Sequence, residues 1–180
     1  MKKYLLTVIL ILTTGYLYSQ EPASFSKVIT VPNITADTLH LLSKQWYLLN
    51  FVNPQKVIQD DNKEMKIVTL RASVGYSYGR ISYLAFEGYV SYLIQIQSKD
   101  GRIKVTITNF YHDNLPGNDP NSQLGLVLNE EEQFKKGLAK GYKNNVAKDI
   151  KAKMELIANT IFTDIERYMN QAKLKNEDNW

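Results

Sequence analysis

Two histidines, His40 and His112, and a complete lack of cysteine bound the chemistry open to this chain of 180 residues. Without cysteine there is no thiol nucleophile, disulfide, thiolate zinc site, iron–sulfur cluster or cysteine-borne lipid. A histidine-dependent hydrolase needs a nucleophile, a base and an orienting group brought together. His40 falls in a segment that reads as a helix, on a different face from Asp37, Ser43 and Lys44, and His112 falls beside Asp113 in a segment that reads as a loop. The expectation is that His40 sits at the boundary of core and solvent and His112 is an exposed loop side chain.

The carboxylates give no firmer site. Asp60, Asn62 and Glu64 alternate like the first ligands of a calcium loop, but the sixth position is Met65 where glycine is needed and the twelfth is Arg71 where glutamate is needed. Asp113, Asp119 and Asn121 could clasp a cation, yet an ordinary polar loop has the same composition. Glu87, Asp100 and Asp113 have no spacing that fixes a pair for glycoside hydrolysis. Gly75 and Gly79 flank Tyr76 and Tyr78 without the strand, loop and helix that a phosphate-binding loop requires. No catalytic residue, metal ligand or cofactor is assigned from the sequence.

Recognition chemistry is better represented. The 18 residues from Gly75 to Tyr92 hold six aromatics, Tyr76, Tyr78, Tyr83, Phe86, Tyr89 and Tyr92, together with Arg80, against an aromatic share of 11% in the chain. Tyrosine offers an apolar face and a hydrogen-bonding tip, which suits protein or glycan recognition at a surface. The other reading is structural, with Tyr89 and Tyr92 as strand residues and the rest packing a long connection onto the sheet edge. Arg71, Tyr76, Tyr78, Arg80, Tyr83 and Phe86 are the candidate binding residues.

The elements that must position these side chains follow from periodicity. Phe25–Val31 reads as a strand closed by Pro32-Asn33, and Thr35 as the N-cap of a helix whose Leu39, Leu42, Trp46 and Leu49 share one face until Asn53-Pro54 ends it. Lys56–Asp60 and Met65–Val74 read as a hairpin turning at Asp61-Asn62-Lys63. Val90–Gln97 and Arg102–Phe110 form a second hairpin, where Asp100-Gly101 supplies the positive backbone angle of a tight turn. Ile103, Val105 and Ile107 alternate with Lys104, Thr106 and Thr108, so the latter should share an outer sheet face with Arg71 and Gln95, a recognition saddle or simply a solvated surface. His112–Gln123 reads as a surface loop. Asn129 and Glu132 resemble a capping box that predicts a helix over Glu130–Tyr142, weakened by Gly137 and Gly141. From Val146 onward Ile150, Met154, Ile157, Ile161, Ile165 and Tyr168 define a long final helix, on which Phe162 and Met169 could form a second apolar stripe.

Lys2-Lys3, the apolar stretch Tyr4–Leu12 and the small residues up to Ser19 have the pattern of a secretory signal peptide, too short for a membrane-spanning helix. Removing residues 1–19 leaves 20 basic against 18 acidic residues, which gives no electrostatic case for nucleic acid. The expected product is periplasmic or secreted, is not a lipoprotein, and has no stable membrane insertion. Its domain plan is a signal peptide over 1–19, one domain over 20–172 and a frayed tail over 173–180.

Runs of consecutive strands with helices at the ends indicate an α+β fold, in the order β-α-β-β-β-β-α, with an antiparallel curved sheet and both helices on one face. From Phe25 to about Asn109 the sequence resembles the exported bacterial domain of unknown function 4468, described as having a TBP-like fold. The residues that carry the resemblance are Val31-Pro32 after the first strand, Leu39 and Trp46 running into Phe51, and Lys99-Asp100-Gly101-Arg102 leading to Thr108-Asn109-Phe110. The resemblance implies the fold and an exported context, and carries over no activity or site. The functional expectation is an exported, non-enzymatic binding domain whose partner is a protein or glycan of the cell envelope. The alternative is a carboxylate-dependent hydrolase of envelope peptides or glycans.

Overall fold

Six antiparallel strands and two long helices account for the architecture, which was obtained as a computed structural model describing residues 21–177. The signal peptide read at 1–19 and the end of the expected tail, 178–180, lie outside the described residues. The strands are β1 (Ser24–Thr30), β2 (Ile58–Asn62), β3 (Ile67–Tyr76), β4 (Gly88–Lys99), β5 (Arg102–Asn114) and β6 (Gly125–Leu126). They form one sheet in the order β1-β5-β4-β3-β2, and the short β6 pairs with β5 at Tyr111 and His112, beyond the stretch that β1 occupies.

The β4–β5 hairpin also starts the first helix. Gly101 takes a φ of 73°, and the Asp100 carboxylate accepts the Ala36 N–H at 2.7 Å, next to the Thr35 side chain that accepts from Thr38. Two orphan donors of α1 (Ala36–Asn50) are thereby satisfied. Leu39, Leu42, Trp46 and Tyr47 turn inward onto Val68, Leu70, Ile94, Ile96, Ile103, Val105 and Ile107, which are buried on the inner sheet face. After the four-residue α2 (Pro54–Val57), the last helix, α3 (Lys140–Glu177), lies beside α1 on that face. No helix among the described residues is long and apolar enough to cross a membrane.

Several local expectations are corrected. The strand expected at Lys56–Asp60 begins as α2, because Pro54 at the first helical position has its φ preset and its missing N–H costs nothing there. The turn follows at Lys63–Lys66, with Lys66 at a φ of 56°. No helix forms over Glu130–Ala139, and helical backbone starts only at Lys140. Side chains hold that segment irregular, since Gln133 bridges Leu128 N–H and Leu126 O while Asn144 clamps both backbone groups of Phe134. Phe162 and Met169 are buried, so they form no exposed second stripe on α3. Helical backbone continues to Glu177, five residues into the segment read as a frayed tail.

The expected loop at His112–Gln123 is corrected for a different reason. β5 continues to Asn114, and its pairing with β4 shifts between Ser91 and Leu93. Asn109 lies in this bulge at a φ of 57°, a conformation that asparagine tolerates better than most residues. The extra residue inverts the alternation, so Ile103, Val105 and Ile107 face inward before it and Phe110 and His112 face inward after it.

Candidate functional site

The outer face of this sheet is built by the side chains opposite the core. One row across it runs Ser26, Thr106, Gln95 and Thr69, and a second runs Val28, Lys104, Gln97 and Ile67. Beyond them Thr108, Leu93 and Arg71 are aligned, followed by Tyr111, Ser91 and Ser73. None of the described elements packs over these rows, and Arg71, Gln95 and Lys104 are exposed. An antiparallel sheet can keep such a face in water because its alternate side chains are polar.

Two aromatic rings stand out on the face. Tyr89 is opposite Asp113 and Tyr111 opposite Ser91, so the tyrosines are diagonal neighbours, 52% and 39% exposed. Gln123 donates to Asp113 Oδ1 at 2.7 Å and to the Tyr111 hydroxyl at 3.3 Å, fixing that end of the surface. At the opposite end, Lys99, Arg102 and Lys104 line a depression of about 180 Å³ with Val28 and Gln97. The face therefore presents stacking surfaces at one end and positive charge at the other.

The structure divides the sequence-derived candidates. Arg71 lies on the outer face, whereas Tyr76, Tyr83 and Phe86 are buried and Tyr78 is half-buried. The Tyr78 and Tyr83 rings stack at 3.8 Å, with Arg80 5.9 Å from the Tyr78 centroid. Tyr83 also meets Tyr142 at 5.1 Å and accepts a bond from Asn145 Nδ2, which ties the β3–β4 connection to the start of α3. Tyr76 donates to Asp149 Oδ2 at 2.8 Å, beneath the Lys153 ammonium. Burial and the Asp149 carboxylate push the Tyr76 phenol above its ordinary range. These aromatics pack the connection onto the body of the protein, the structural one of the two readings. The exposed tyrosines of the outer sheet face are Tyr89 and Tyr111. Tyr89 could have been oriented from buried Val90 and Tyr92 on either side of Ser91, while Tyr111 could be found only by recognising Asn109 as a bulge residue.

Both histidines are more deeply placed than expected. His112 is fully buried; its Nε2 donates to Phe86 O at 2.9 Å, its Nδ1 accepts from Leu124 N–H at 3.3 Å, and burial lowers its pKa. That corrects its reading as an exposed loop residue. His40 is 7% exposed and shares Asp61 with Lys44, at 2.8 and 2.5 Å, so the two residues are on the same side of α1 and not on different faces. The bond from Lys44 holds the Asp61 carboxyl below its usual value. The three carboxylates considered for a hydrolytic pair are occupied separately, Glu87 by Ser77, Asp100 by the start of α1 and Asp113 by Gln123. Among the described residues no three histidine or acidic side chains gather to hold a metal ion.

Comparison with known proteins agrees with this architecture. A crystal structure of a TBP-like protein from Parabacteroides distasonis is similar at a TM-score of 0.53 and 10% identity, covering 83% of this chain and 93% of that one. A DUF4468 family protein from Bacteroides ovatus has a TM-score of 0.47 and 16% identity, with coverage of 87% and 94%. No curated protein matches the sequence. Residues 25–113, from β1 almost to the end of β5, match the family described as a domain of unknown function (DUF4468) with TBP-like fold, and the chain belongs to that family.

Proposed function

We propose that the chain is an exported, non-enzymatic binding domain that recognises a protein of the cell envelope through the outer face of its sheet. The observation that carries this reading is the uncovered face itself, with Tyr89 and Tyr111 side by side and Arg71 and Lys104 exposed among threonine, serine and glutamine side chains. Tyrosine and arginine are the residue types that concentrate binding energy at protein interfaces, because each combines a flat contact surface with directed hydrogen bonds. Export is supported by Lys2-Lys3, the apolar run to Leu12 and the small residues ending at Ser19.

The test uses a photo-crosslinking amino acid placed at Gln95 on the outer face or at Lys148 on the exposed side of α3. The proposal expects a discrete protein conjugate from position 95 and none from 148, abolished when Tyr89→Ala and Tyr111→Ala are added to a chain with unchanged thermal midpoint. Equal labelling from both positions, or no protein conjugate beside direct binding to envelope polysaccharide, would overturn it.

A further inference from the structure

We infer that the protein has a second, independent binding site, a cleft between α1 and α3 that takes a small uncharged molecule with an apolar body and a carbonyl oxygen. The cleft has a volume of about 360 Å³, near the lower end of the range for small-molecule sites. Trp46 and Phe51 form one wall, their rings edge-on at 6.0 Å, and Ile157 and Ile161 form the other. Tyr92 reaches the cleft from β4.

Its polar groups define the ligand. Tyr92 is 5% exposed, and its hydroxyl makes no hydrogen bond among the described residues. A phenylalanine would fill the same space without a polar tip, so the Tyr92 hydroxyl, open to the cleft, is a donor that an acceptor on the ligand can engage. The charged group beside it is already engaged. Asp164 accepts Trp46 Nε1–H at 2.8 Å through one oxygen and pairs with the Arg167 guanidinium through the other. An incoming cation would compete with Arg167, and an anion would meet the Asp164 carboxylate. An uncharged carbonyl compound encounters neither obstacle: its oxygen accepts from Tyr92, and its body is held between the indole and the two isoleucines.

Prodan, a neutral fluorophore with an aromatic body and one carbonyl, is the probe for this site. The expected result is saturable binding to the purified protein with blue-shifted emission, weakened about fivefold by Tyr92→Phe, which removes one hydrogen bond. Ile161→Trp, which fills the cleft, should abolish binding. Thr160→Trp does so from an exposed position and serves if the first variant fails to fold. Tyr89→Ala on the outer face should leave prodan affinity unchanged, which separates this site from the proposed protein interface. No saturable binding, equal affinity in Tyr92→Phe, or undiminished binding in a folded Ile161→Trp or Thr160→Trp protein would overturn the inference.

Discussion

Replacing His112 with Phe should change how stability responds to pH, and the size of the change follows from the buried imidazole. In the folded protein both ring nitrogens are used by the neutral form, one donating to Phe86 O and one accepting from Leu124 N–H. Protonation would turn the second into a donor facing a donor. The groups around the ring are the Tyr76 ring, edge-on at 5.4 Å, and the neighbouring Asp113, whose charge only partly offsets burial. The unfolded chain takes up a proton near pH 6.5, whereas the folded chain does so lower. Stability from this group is therefore intact above 6.5 and is lost as pH falls from there through the folded value. If the folded value lies below the window, the loss between pH 7.5 and 5.5 reaches about 1.4 kcal/mol, or about 0.7 M in the urea midpoint for a slope of about 2 kcal/mol/M. His112→Phe keeps the ring but orphans Phe86 O and Leu124 N–H, at a cost of about 2–5 kcal/mol. Urea unfolding at the two pH values should show a lower midpoint at pH 7.5 and a smaller pH response. His112→Gln, which can replace one bond, provides the same comparison if the Phe variant does not fold. An undiminished pH response in either variant would refute the assignment of a neutral buried histidine.

Two further substitutions probe the framework. A Cβ at Gly88 would lie 1.9 Å from Asp113 O and 2.9 Å from Asn114 Cα, all backbone, whereas Gly75 opens onto nothing within 4 Å. Gly88→Ala should cost at least about 3 kcal/mol and Gly75→Ala less than about 0.5, measured as thermal midpoints. Tyr76→Phe removes the bond to Asp149 and should lower stability by about 1.5–3 kcal/mol in urea unfolding, without weakening partner crosslinking from the outer face.

How much of this was legible in sequence depended on whether the deciding contact was local. Ile103, Val105 and Ile107 expose their period directly, Asp100-Gly101 marks its own turn, and Thr35 caps the helix that begins one residue later. The bulge at Asn109 was not legible as a strand feature, because alternation continued without it puts Phe110 and His112 in water. On α3 the large apolar residues suggested a stripe through Ile157 and Ile161. The buried stripe instead passes through small Ala158 to Phe162 and leaves those isoleucines on the shoulder, where they line the cleft. The clamps made by Gln133 and Asn144 override the helical signal after Asn129 through bonds that depend on where other segments already lie. The candidate site was harder to see than the fold. Aromatic density pointed to the Tyr76–Phe86 connection, but the rings on the outer face are Tyr89 and Tyr111, selected by strand parity.

The position of α3 in the chain sets a constraint on the order of assembly. All the described strands precede Leu128, yet part of the inner face is covered only when Val146, Ile150, Met154, Phe162 and Ile165 have docked. Contacts such as Lys27 with Glu166 close over 139 residues, so they reward the chain only after a long loop has been brought together. Until the last fifth of the polypeptide is available, a newly made chain has a half-roofed sheet with no way to complete its core, and α3 acts as the final latch on a structure whose other parts are already waiting.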